Sequence, residues 1–239
     1  MKQLLIKLCY SIIGITNVYA VDNNLILIGT TGDYPPLTYR TESGYRGKDI
    51  EIIMGFAKTE HLVIKFIPTT WQTISQDLSS GKFDAAIGGV SETPARKQLF
   101  YLSDAIESSA KVPLIRCSDS NRFTSFASID SESIVVVENR GGTNQDFALQ
   151  HIKHAALILY PQNYKALDSL NQTKTLADVM FTDDVEVQYR HKINPQLCLA
   201  NIPEKFPSSN KVFLFAKTNK GQELNKLFNS WWQLNKLSY

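Results

Sequence analysis

Three acidic residues stand close together in the sequence, at Asp183, Asp184 and Glu186. They follow the segment "ADVMF", whose apolar residues are typical of a buried strand. Carboxylates this close repel one another, and a buried one is costly unless it is paired with a cation or protonated. The cluster is therefore either a solvated loop, or a site where one carboxylate binds a cation and another stays protonated to act as an acid.

Two further segments carry groups that suit an anionic ligand. In "GGVSETPARK", Arg96 follows a predicted strand end and a Thr-Pro turn, where its guanidinium can clamp a carboxylate with two hydrogen bonds. "NRGGTNQDF" follows the predicted strand "SIVVVEN" and opens a helix, with Thr143 and Asp146 at the spacing of a capping box. Backbone N–H groups at such a helix start bind anions. A surface arginine and an ordinary strand-to-helix turn are the alternatives.

Two aromatic residues also follow predicted strand ends. Tyr34 lies between Gly32 and Pro35 in "TTGDYPPLTY", and Trp71 comes directly after "PTT". Both positions suit an aromatic wall beside a ligand, and the alternative for each is a place in the core.

Nucleophilic hydrolysis and metal chemistry have little support in the sequence. "GVSET" around Ser91 lacks the second glycine of a nucleophile elbow, and no histidine is placed to partner the serine. His151 and His154 stand three apart on a predicted helix, but without a nearby acid or cysteine we interpret them as surface residues. The phosphate-loop and dinucleotide-binding patterns are not found in the sequence. We therefore expect neither a metal nor an organic cofactor.

The first 20 residues have the pattern of an export signal. Lys2 and Lys7 accompany an apolar stretch that ends in "VYA", a small-x-small cleavage pattern, and that stretch is too short and interrupted to span a bilayer. Removing it lowers the count of Lys and Arg from 25 to 23, which equals the 23 Asp and Glu. We expect a soluble exported protein without membrane insertion, and the charge balance argues against nucleic acid or an anionic membrane as partner.

Segments typical of strands and of helices alternate along the chain, which indicates an α/β fold. For example, "NLILIGTTG" and "LVIKFIPTT" are short apolar runs, and "GKDIEIIMGFAKTEH" between them has apolar residues at helical spacing. "DLSSGKFDAAIGG" and "SLNQTKTLADVMFTD" are alike, since each runs from a leucine through a polar turn to an aspartate and an apolar strand. The likeness has two explanations, which are chance and the presence of two similar α/β units. In a protein of two lobes the ligand is expected in the cleft at the strand ends.

Taken together, these motifs resemble the periplasmic solute-binding proteins of the amino-acid type. The resemblance is carried, in the family's order, by "TTGDYPPLTY", "GYRGKDIEI", "LSSGKFDAAIGGVSETPARK", "YLSDA" and "NRGGTN". It implies a two-lobed α/β fold, the type II periplasmic-binding-protein fold, in which each lobe is a mixed sheet flanked by helices. Residues 21–112 and 206–239 would form the first lobe and residues 113–205 the second, and the lobes would close over a small molecule.

The same resemblance implies roles for site residues. Arg96 would clamp a ligand carboxylate, helped by Ser91 and Thr143. Asp183 would meet the amino group of the ligand.

Within that superfamily the chain is most similar to the cyclohexadienyl dehydratases, through "GGTNQDFA", "PQN", "VMFTDDVEVQ", "NPQLC" and "LIRCSDSNRF". The resemblance implies conversion of prephenate to phenylpyruvate and of arogenate to phenylalanine in the periplasm, without a cofactor. Glu186 would be the general acid, and Lys111 and Asn144 fall on active-site positions. Asp184 replaces a small residue of that pattern and receives no role.

Cys117 and Cys198 remain after the export signal. An even count in an exported chain favours a disulfide over two free thiols. Both positions also match cysteines of the dehydratases.

Two other functions fit the same resemblance. The first is an amino-acid-binding protein that delivers its ligand to an ABC transporter, and the second is the ligand-sensing domain of a receptor. Glu186 favours the enzyme, because transport proteins of this kind usually carry an apolar residue at that position. The sequence leaves open whether prephenate or arogenate is preferred and whether the protein forms a homo-oligomer.

Overall fold

A computed structural model describes residues 24–172 and 177–239, so the predicted export signal at residues 1–20 lies outside the described residues. The first elements are β1 (Leu25–Thr30), β2 (Asp33–Tyr34), β3 (Thr38–Thr41), β4 (Gly44–Arg46), α1 (Lys48–Thr59), β5 (Val63–Pro68), α2 (Ile74–Ser79), β6 (Ala85–Ala86), α3 (Pro94–Leu99) and β7 (Tyr101–Leu102). The remaining elements are β8 (Glu107–Arg116), α4 (Phe126–Ile129), β9 (Val135–Asn139), α5 (Gly142–His151), β10 (Ala156–Tyr160), α6 (Asn163–Asn171), β11 (Val179–Asp183), α7 (Asp184–Ile193), β12 (Leu197–Leu199), β13 (Ser208–Lys211), β14 (Leu214–Phe215) and α8 (Asn219–Asn235).

The first sheet has the strand order β5-β1-β6-β14-β7. Strands β5, β1 and β6 are parallel, whereas β14 runs antiparallel to β6 and β7. The amphipathic helices α1 and α8 share one buried cluster with this sheet, in which Phe56 of α1 meets Phe228 and Trp231 of α8. This sheet, the small sheet β2-β3-β4 and their helices form what we call lobe 1.

The second sheet has the strand order β10-β9-β11-β8-β12. Strand β9 is parallel to β10 and β11, and β8 is antiparallel to β11 and β12. We call this sheet, with helices α5, α6 and α7, lobe 2. Mixed sheets flanked by helices confirm the predicted fold class, and the lobe boundaries given above stay a prediction.

Strands β8 and β13 run side by side where the two lobes meet. The first part of β8 pairs with β13, and its later part pairs with β11 and β12 of lobe 2. Strand β13 leads directly to β14 of lobe 1, and its last residue, Lys211, bridges to Ser91. Residues at these strand positions therefore lie at the boundary between the lobes.

The side chains of β11 alternate between two packing clusters on opposite faces of the second sheet. Val179 and Phe181 belong to one cluster, and Met180 belongs to the other. Because successive strand residues point to opposite faces, Asp183 continues the first face and Thr182 the second. This alternation decides which neighbours each polar residue of β11 meets.

Cys117 and Cys198, the two cysteines that the sequence analysis pairs, are joined in a disulfide with their Cα atoms 4.9 Å apart. The bond links the segment that follows β8 to β12, at the edge of the second sheet. Among the described residues, no helix combines the length and the apolar character needed to cross a membrane.

Candidate functional site

The junction of β11 and α7 separates the three acidic side chains that are neighbours in sequence. Asp183 ends β11 and is the N-cap residue of α7, which begins at Asp184. Glu186 lies two residues into the helix, about 200° around its axis from Asp184. The change from strand to helix therefore turns the three carboxylates toward different surroundings.

Asp183 is buried between two lysines and a tyrosine. Its Oδ1 accepts a 2.8 Å hydrogen bond from Lys111 Nζ, which lies directly opposite it on β8. Its Oδ2 accepts hydrogen bonds from Lys211 Nζ and from the hydroxyl of Tyr34. Burial alone would raise the pKa of Asp183, but the two ammonium groups hold it well below its usual range. Asp183 is therefore an ionised carboxylate near neutral pH.

Lys211, which the sequence analysis does not single out, is fully buried at the end of β13. Besides its ion pair with Asp183, its Nζ donates a 2.8 Å hydrogen bond to Ser91 Oγ and lies 6.0 Å from the centre of the Tyr34 ring. Burial and the neighbouring positive charge of Lys111 lower the pKa of Lys211 to about 8. Lys211 is therefore a third cation of the site, beside Arg96 and Lys111.

Arg96 is held in the cleft by the short helix α3. Thr93 caps this helix by accepting a 3.2 Å hydrogen bond from the backbone N–H of Arg96, and Pro94 occupies the first turn, as is common at a helix start. The guanidinium is 8% exposed and donates a 2.6 Å hydrogen bond to the carbonyl of Ser91. One guanidinium edge is thus fixed to the protein, and the group keeps further donors for a ligand.

The Gly-rich turn before α5 differs from the predicted capping box. The helix begins at Gly142 after the N-cap Gly141, so Thr143 lies inside the first turn and does not cap it. Both glycines have φ of 78°, which lets the chain turn into the helix earlier than a capping threonine would. Gln145 Oε1 instead accepts a 2.6 Å hydrogen bond from the N–H of Gly141. The capping-box prediction is therefore wrong.

The first turn of α5 nevertheless faces the other lobe. Thr143 Oγ lies 3.3 Å from Ser91 Oγ of lobe 1. Asn144 is buried, accepts a 2.5 Å hydrogen bond from Lys111 Nζ and donates a 3.2 Å hydrogen bond to Asn139 Oδ1. The network fixes the Asn144 amide and places backbone N–H groups of the helix start toward the cleft.

Tyr34 and Trp71 form an aromatic corner on lobe 1. Their ring centres are 5.6 Å apart with an edge-to-face angle of 77°. Trp71 Nε1 donates a 2.9 Å hydrogen bond to Asp33 Oδ1, whose other oxygen accepts a 3.1 Å hydrogen bond from the N–H of Asn163 in lobe 2. Burial and the charge of Asp183 raise the pKa of Tyr34 well above its usual value, so its hydroxyl stays protonated.

Glu186 is buried on the opposite face of the second sheet from Asp183. Its Oε1 accepts hydrogen bonds from Arg190 Nη2 at 2.8 Å and from Asn163 Nδ2 at 2.9 Å. Its Oε2 lies 2.6 Å from Thr182 Oγ. Burial raises the pKa of Glu186 above its ordinary value, although Arg190 opposes this change.

A small cavity of about 270 Å3 lies between the lobes. It is lined by Tyr34, Trp71, Gly89, Ser91, Arg96, Asn139, Gly142, Thr143, Asn144 and Asp183. All the substrate-binding and catalytic residues predicted from the sequence are among them except Lys111 and Glu186. Lys111 lies behind Asn144 and Asp183, and Glu186 lies behind Thr182. The lobes are closed on each other, since Tyr34 and Ser91 of lobe 1 contact Asp183 and Thr143 of lobe 2.

Residues 26–236 match the family described as bacterial extracellular solute-binding proteins, family 3. The chain belongs to this family.

The solute-binding protein is 30% identical over 198 residues to the cyclohexadienyl dehydratase of Pseudomonas aeruginosa, covering 82% of this chain and 73% of that one. It is 27% identical over 141 residues to the L-cystine-binding protein TcyA of Bacillus subtilis, covering 56% of this chain and 52% of that one. These likenesses confirm the predicted resemblance to amino-acid-type solute-binding proteins and to the dehydratase.

Two solved structures are similar to this solute-binding protein over 90% of each chain. The ancestral amino acid-binding protein AncCDT-1, described as a precursor of cyclohexadienyl dehydratase, has a TM-score of 0.81 at 26% identity. The substrate-binding protein AbpA of Streptococcus pneumoniae, bound to L-arginine, has a TM-score of 0.81 at 20% identity. The latter likeness establishes the two-lobed fold alone.

Asp184, the acidic residue without a predicted role, is not part of the cleft of this solute-binding protein. It is half-buried, and its Oδ1 accepts a hydrogen bond from Ser109 Oγ on β8. The contact ties the first turn of α7 to the strand that runs between the lobes. The alternative of a solvated loop is wrong for all three acidic residues, because Asp183 and Glu186 are buried and Asp184 is anchored.

His151 and His154, the two histidines weighed above for metal binding, belong to no group of three metal-ligating side chains among the described residues. His151 packs on the ring of Phe147 with centres 4.3 Å apart, and His154 is exposed. Within residues 24–172 and 177–239, the group of His, Cys, Asp and Glu that lies close enough to hold a metal is Cys117, His191 and Cys198. Its two sulfur atoms are already joined in the disulfide.

Proposed function

We propose that this solute-binding protein is a periplasmic dehydratase that converts prephenate to phenylpyruvate and arogenate to phenylalanine. The observation that carries the proposal is Glu186, a buried carboxyl group of raised pKa that lies behind the wall of a cationic cleft. The similarity to cyclohexadienyl dehydratase supports the same reaction.

The reaction requires two things of the protein, an acid that protonates the leaving group and cations that bind the carboxylates. Loss of CO2 and of the ring hydroxyl makes the ring aromatic, and aromatisation supplies the driving force. The leaving hydroxyl must be protonated, and the substrate carboxylates must be held. Arg96 and the N–H groups at the start of α5 have the geometry to hold a carboxylate, and Lys111 adds positive charge behind them.

Thr182 and Tyr34 connect Glu186 to the cavity. Thr182 Oγ is 2.6 Å from Glu186 Oε2 and 3.4 Å from the Tyr34 hydroxyl, which lines the cavity. In the proposed step, protonated Glu186 gives its proton to Thr182, Thr182 passes its own proton to Tyr34, and Tyr34 protonates the leaving hydroxyl. Water and CO2 leave, and Glu186 ends the step as a carboxylate, stabilised by Arg190. General acid catalysis of this kind contributes about 10²- to 10⁴-fold in rate.

Binding of an amino acid for transport is the second candidate function. It is favoured by the relatives, which include the L-cystine-binding protein. The fold itself serves both functions, so it does not separate them. A transport protein, however, has no need for the buried acid Glu186 next to its cleft.

Turnover separates the two candidates. Purified protein without residues 1–20 is incubated with prephenate or arogenate, and phenylpyruvate or phenylalanine is measured against a sample without protein. We expect formation of product with at least one of the two. Absence of product from both, together with tight binding of an ordinary amino acid, would overturn the proposal in favour of transport.

A further inference from the structure

The cleft contains more positive than negative charge. Arg96 lines the cavity, and Lys111 and Lys211 lie behind its wall, where each contacts Asp183; all three cations are at most 8% exposed. Asp183 is the one carboxylate among the described residues that line the cavity. Glu186 does not reduce this excess, because it is neutral when protonated and paired with Arg190 when ionised. Three cations against one carboxylate leave an excess of two positive charges.

Another buried acid near the cleft does not offset this excess. Glu138, on β9, is fully buried, its Oε1 accepts a 2.7 Å hydrogen bond from the N–H of Phe181, and its Oε2 has no partner among the described residues. Burial raises the pKa of Glu138 well above its usual value, which favours its neutral form. The acids at the rim, Asp33 and Asp146, are partly or fully exposed, where water and salt screen them.

Asp183 is also the carboxylate with which an ammonium group of a ligand would pair. The ammonium group of Lys211 already makes that ion pair. Lys211 and Tyr34 contact Oδ2, while Lys111 contacts Oδ1. A ligand ammonium would enter as a further cation beside two lysines, without a second carboxylate to compensate it. A ligand that carries two carboxylates and no ammonium would instead neutralise the excess charge.

Lys211 differs from Lys111 in how it reaches Asp183. Lys111 and Asp183 are register partners within the second sheet, so their ion pair belongs to lobe 2 itself. Lys211 lies on β13 between the lobes, and its Nζ joins Ser91 of lobe 1 to Asp183 of lobe 2. Lys211 is therefore the cation that lobe closure brings to the cavity side of Asp183.

We propose that Lys211 occupies the ammonium position beside Asp183 and makes the site selective for dianionic 2-oxo acids over the corresponding amino acids. The inference rests on the proposed function for its choice of substrates, and there it means that prephenate is preferred to arogenate. Lys211 is on this view a specificity-determining residue, and its ammonium group contacts the bound dianion.

The test compares the affinities of two ligands that differ in the 2-oxo and 2-ammonium groups. Dissociation constants of prephenate and arogenate are measured by calorimetry at pH 7 on the Glu186→Gln variant, where turnover is suppressed, with and without Lys211→Met. We expect prephenate to bind at least about tenfold more tightly when Lys211 is present, and Lys211→Met to shift the ratio toward arogenate by about tenfold or more. Lys211→Arg keeps the charge and should keep the preference.

Wild-type protein with the unreactive pair phenylpyruvate and L-phenylalanine provides a second measurement, and thermal unfolding checks that each variant is folded. An unchanged ratio in folded Lys211→Met, or no binding of either ligand, overturns the inference. A ratio that responds to Lys211 while wild-type protein forms no product would uphold the inference and reject the dehydratase. If wild-type protein forms product but the ratio of the two dissociation constants does not change in Lys211→Met, the dehydratase is upheld and the inference about Lys211 is rejected.

Discussion

The hydroxyl of Tyr34 in lobe 1 donates a hydrogen bond to the carboxylate of Asp183 in lobe 2. This contact joins a hairpin of one lobe to the central strand region of the other, and it places the hydroxyl 3.4 Å from Thr182 Oγ. Tyr34 is thus both a contact that closes the cleft and the last group between Glu186 and the cavity.

Replacing Tyr34 by phenylalanine keeps the aromatic corner with Trp71 and removes the hydroxyl. We expect kcat for prephenate to fall by about 10²- to 10⁴-fold, since the path for the proton is interrupted, with a smaller change in ligand affinity. Tyr101→Phe, on β7 and outside the cleft, is the matched control and should retain activity. Full turnover in Tyr34→Phe would exclude the hydroxyl from the proton path.

Glu186→Gln keeps the shape of the side chain and its contacts with Asn163 and Thr182, but it has no proton to give. Turnover should fall by about 10²- to 10⁴-fold while prephenate still binds. Glu223→Gln, on the exposed face of α8, makes the same chemical change away from the site and should leave activity intact. Steady-state rates and calorimetric affinities, measured on both variants, distinguish a lost acid from a lost binding site. A variant that is equally active with glutamine would show that the acid lies elsewhere.

The stability of the protein should depend on pH through Asp49. Its Oδ2 accepts hydrogen bonds from the N–H groups of Gly88 at 3.1 Å and Gly89 at 2.8 Å, and burial raises its pKa from 3.8 to about 7. At a pH between 3.8 and about 7, Asp49 has lost its proton in the unfolded chain but keeps it in the folded protein. The free energy of unfolding therefore falls as pH rises from about 4 to about 7, by up to about 4 kcal/mol from this group.

Asp49→Asn removes that titration while its amide oxygen can accept the same two hydrogen bonds. Urea unfolding at several pH values between 4 and 7 should show a smaller decrease in stability for the variant than for the wild type. Parallel curves for the two proteins would mean that Asp49 is ionised in the folded state.

Gly141→Ala should hinder closure of the lobes. A Cβ at this position would lie 2.6 Å from the backbone nitrogen of Gln72, and the residue has φ of +78°. Gly81→Ala is a close control, because Gly81 has φ of +76° but nothing within 4 Å of the added Cβ. Both glycines have positive φ, and only at Gly141 does the added Cβ meet a residue of the other lobe. We expect weaker ligand binding and a larger radius of gyration in solution scattering for Gly141→Ala alone.

Local sequence signals predict much of the site. Arg96 follows a Thr-Pro helix start and is positioned by that short segment. Asn144 is implied by the resemblance to the dehydratases, and the Gly-rich turn before it places it at the cleft. The alternation of strands and helices likewise predicts the α/β fold. The separate surroundings of Asp183 and Glu186 follow from the change of strand to helix within a few residues.

Long-range pairing determines what the sequence does not reveal. Lys211 ends the segment "SSNK", which has no apolar pattern, and it is buried only because β13 pairs with β8 between the lobes. Thr182 and Asn163 come together on Glu186 from different elements, again through the packing of α6 against the sheet. The capping pattern misplaces the start of α5, because two glycines at positive φ allow a turn that the pattern does not describe.

Most of the site residues of lobe 2 lie in the chain between Cys117 and Cys198, the two cysteines of the disulfide. The cysteines are 81 positions apart, and Asn144, Asp183 and Glu186 all lie between them. The chain between the cysteines is thus a covalent ring. A protease that cuts this ring once releases no fragment, and the two pieces separate only after reduction.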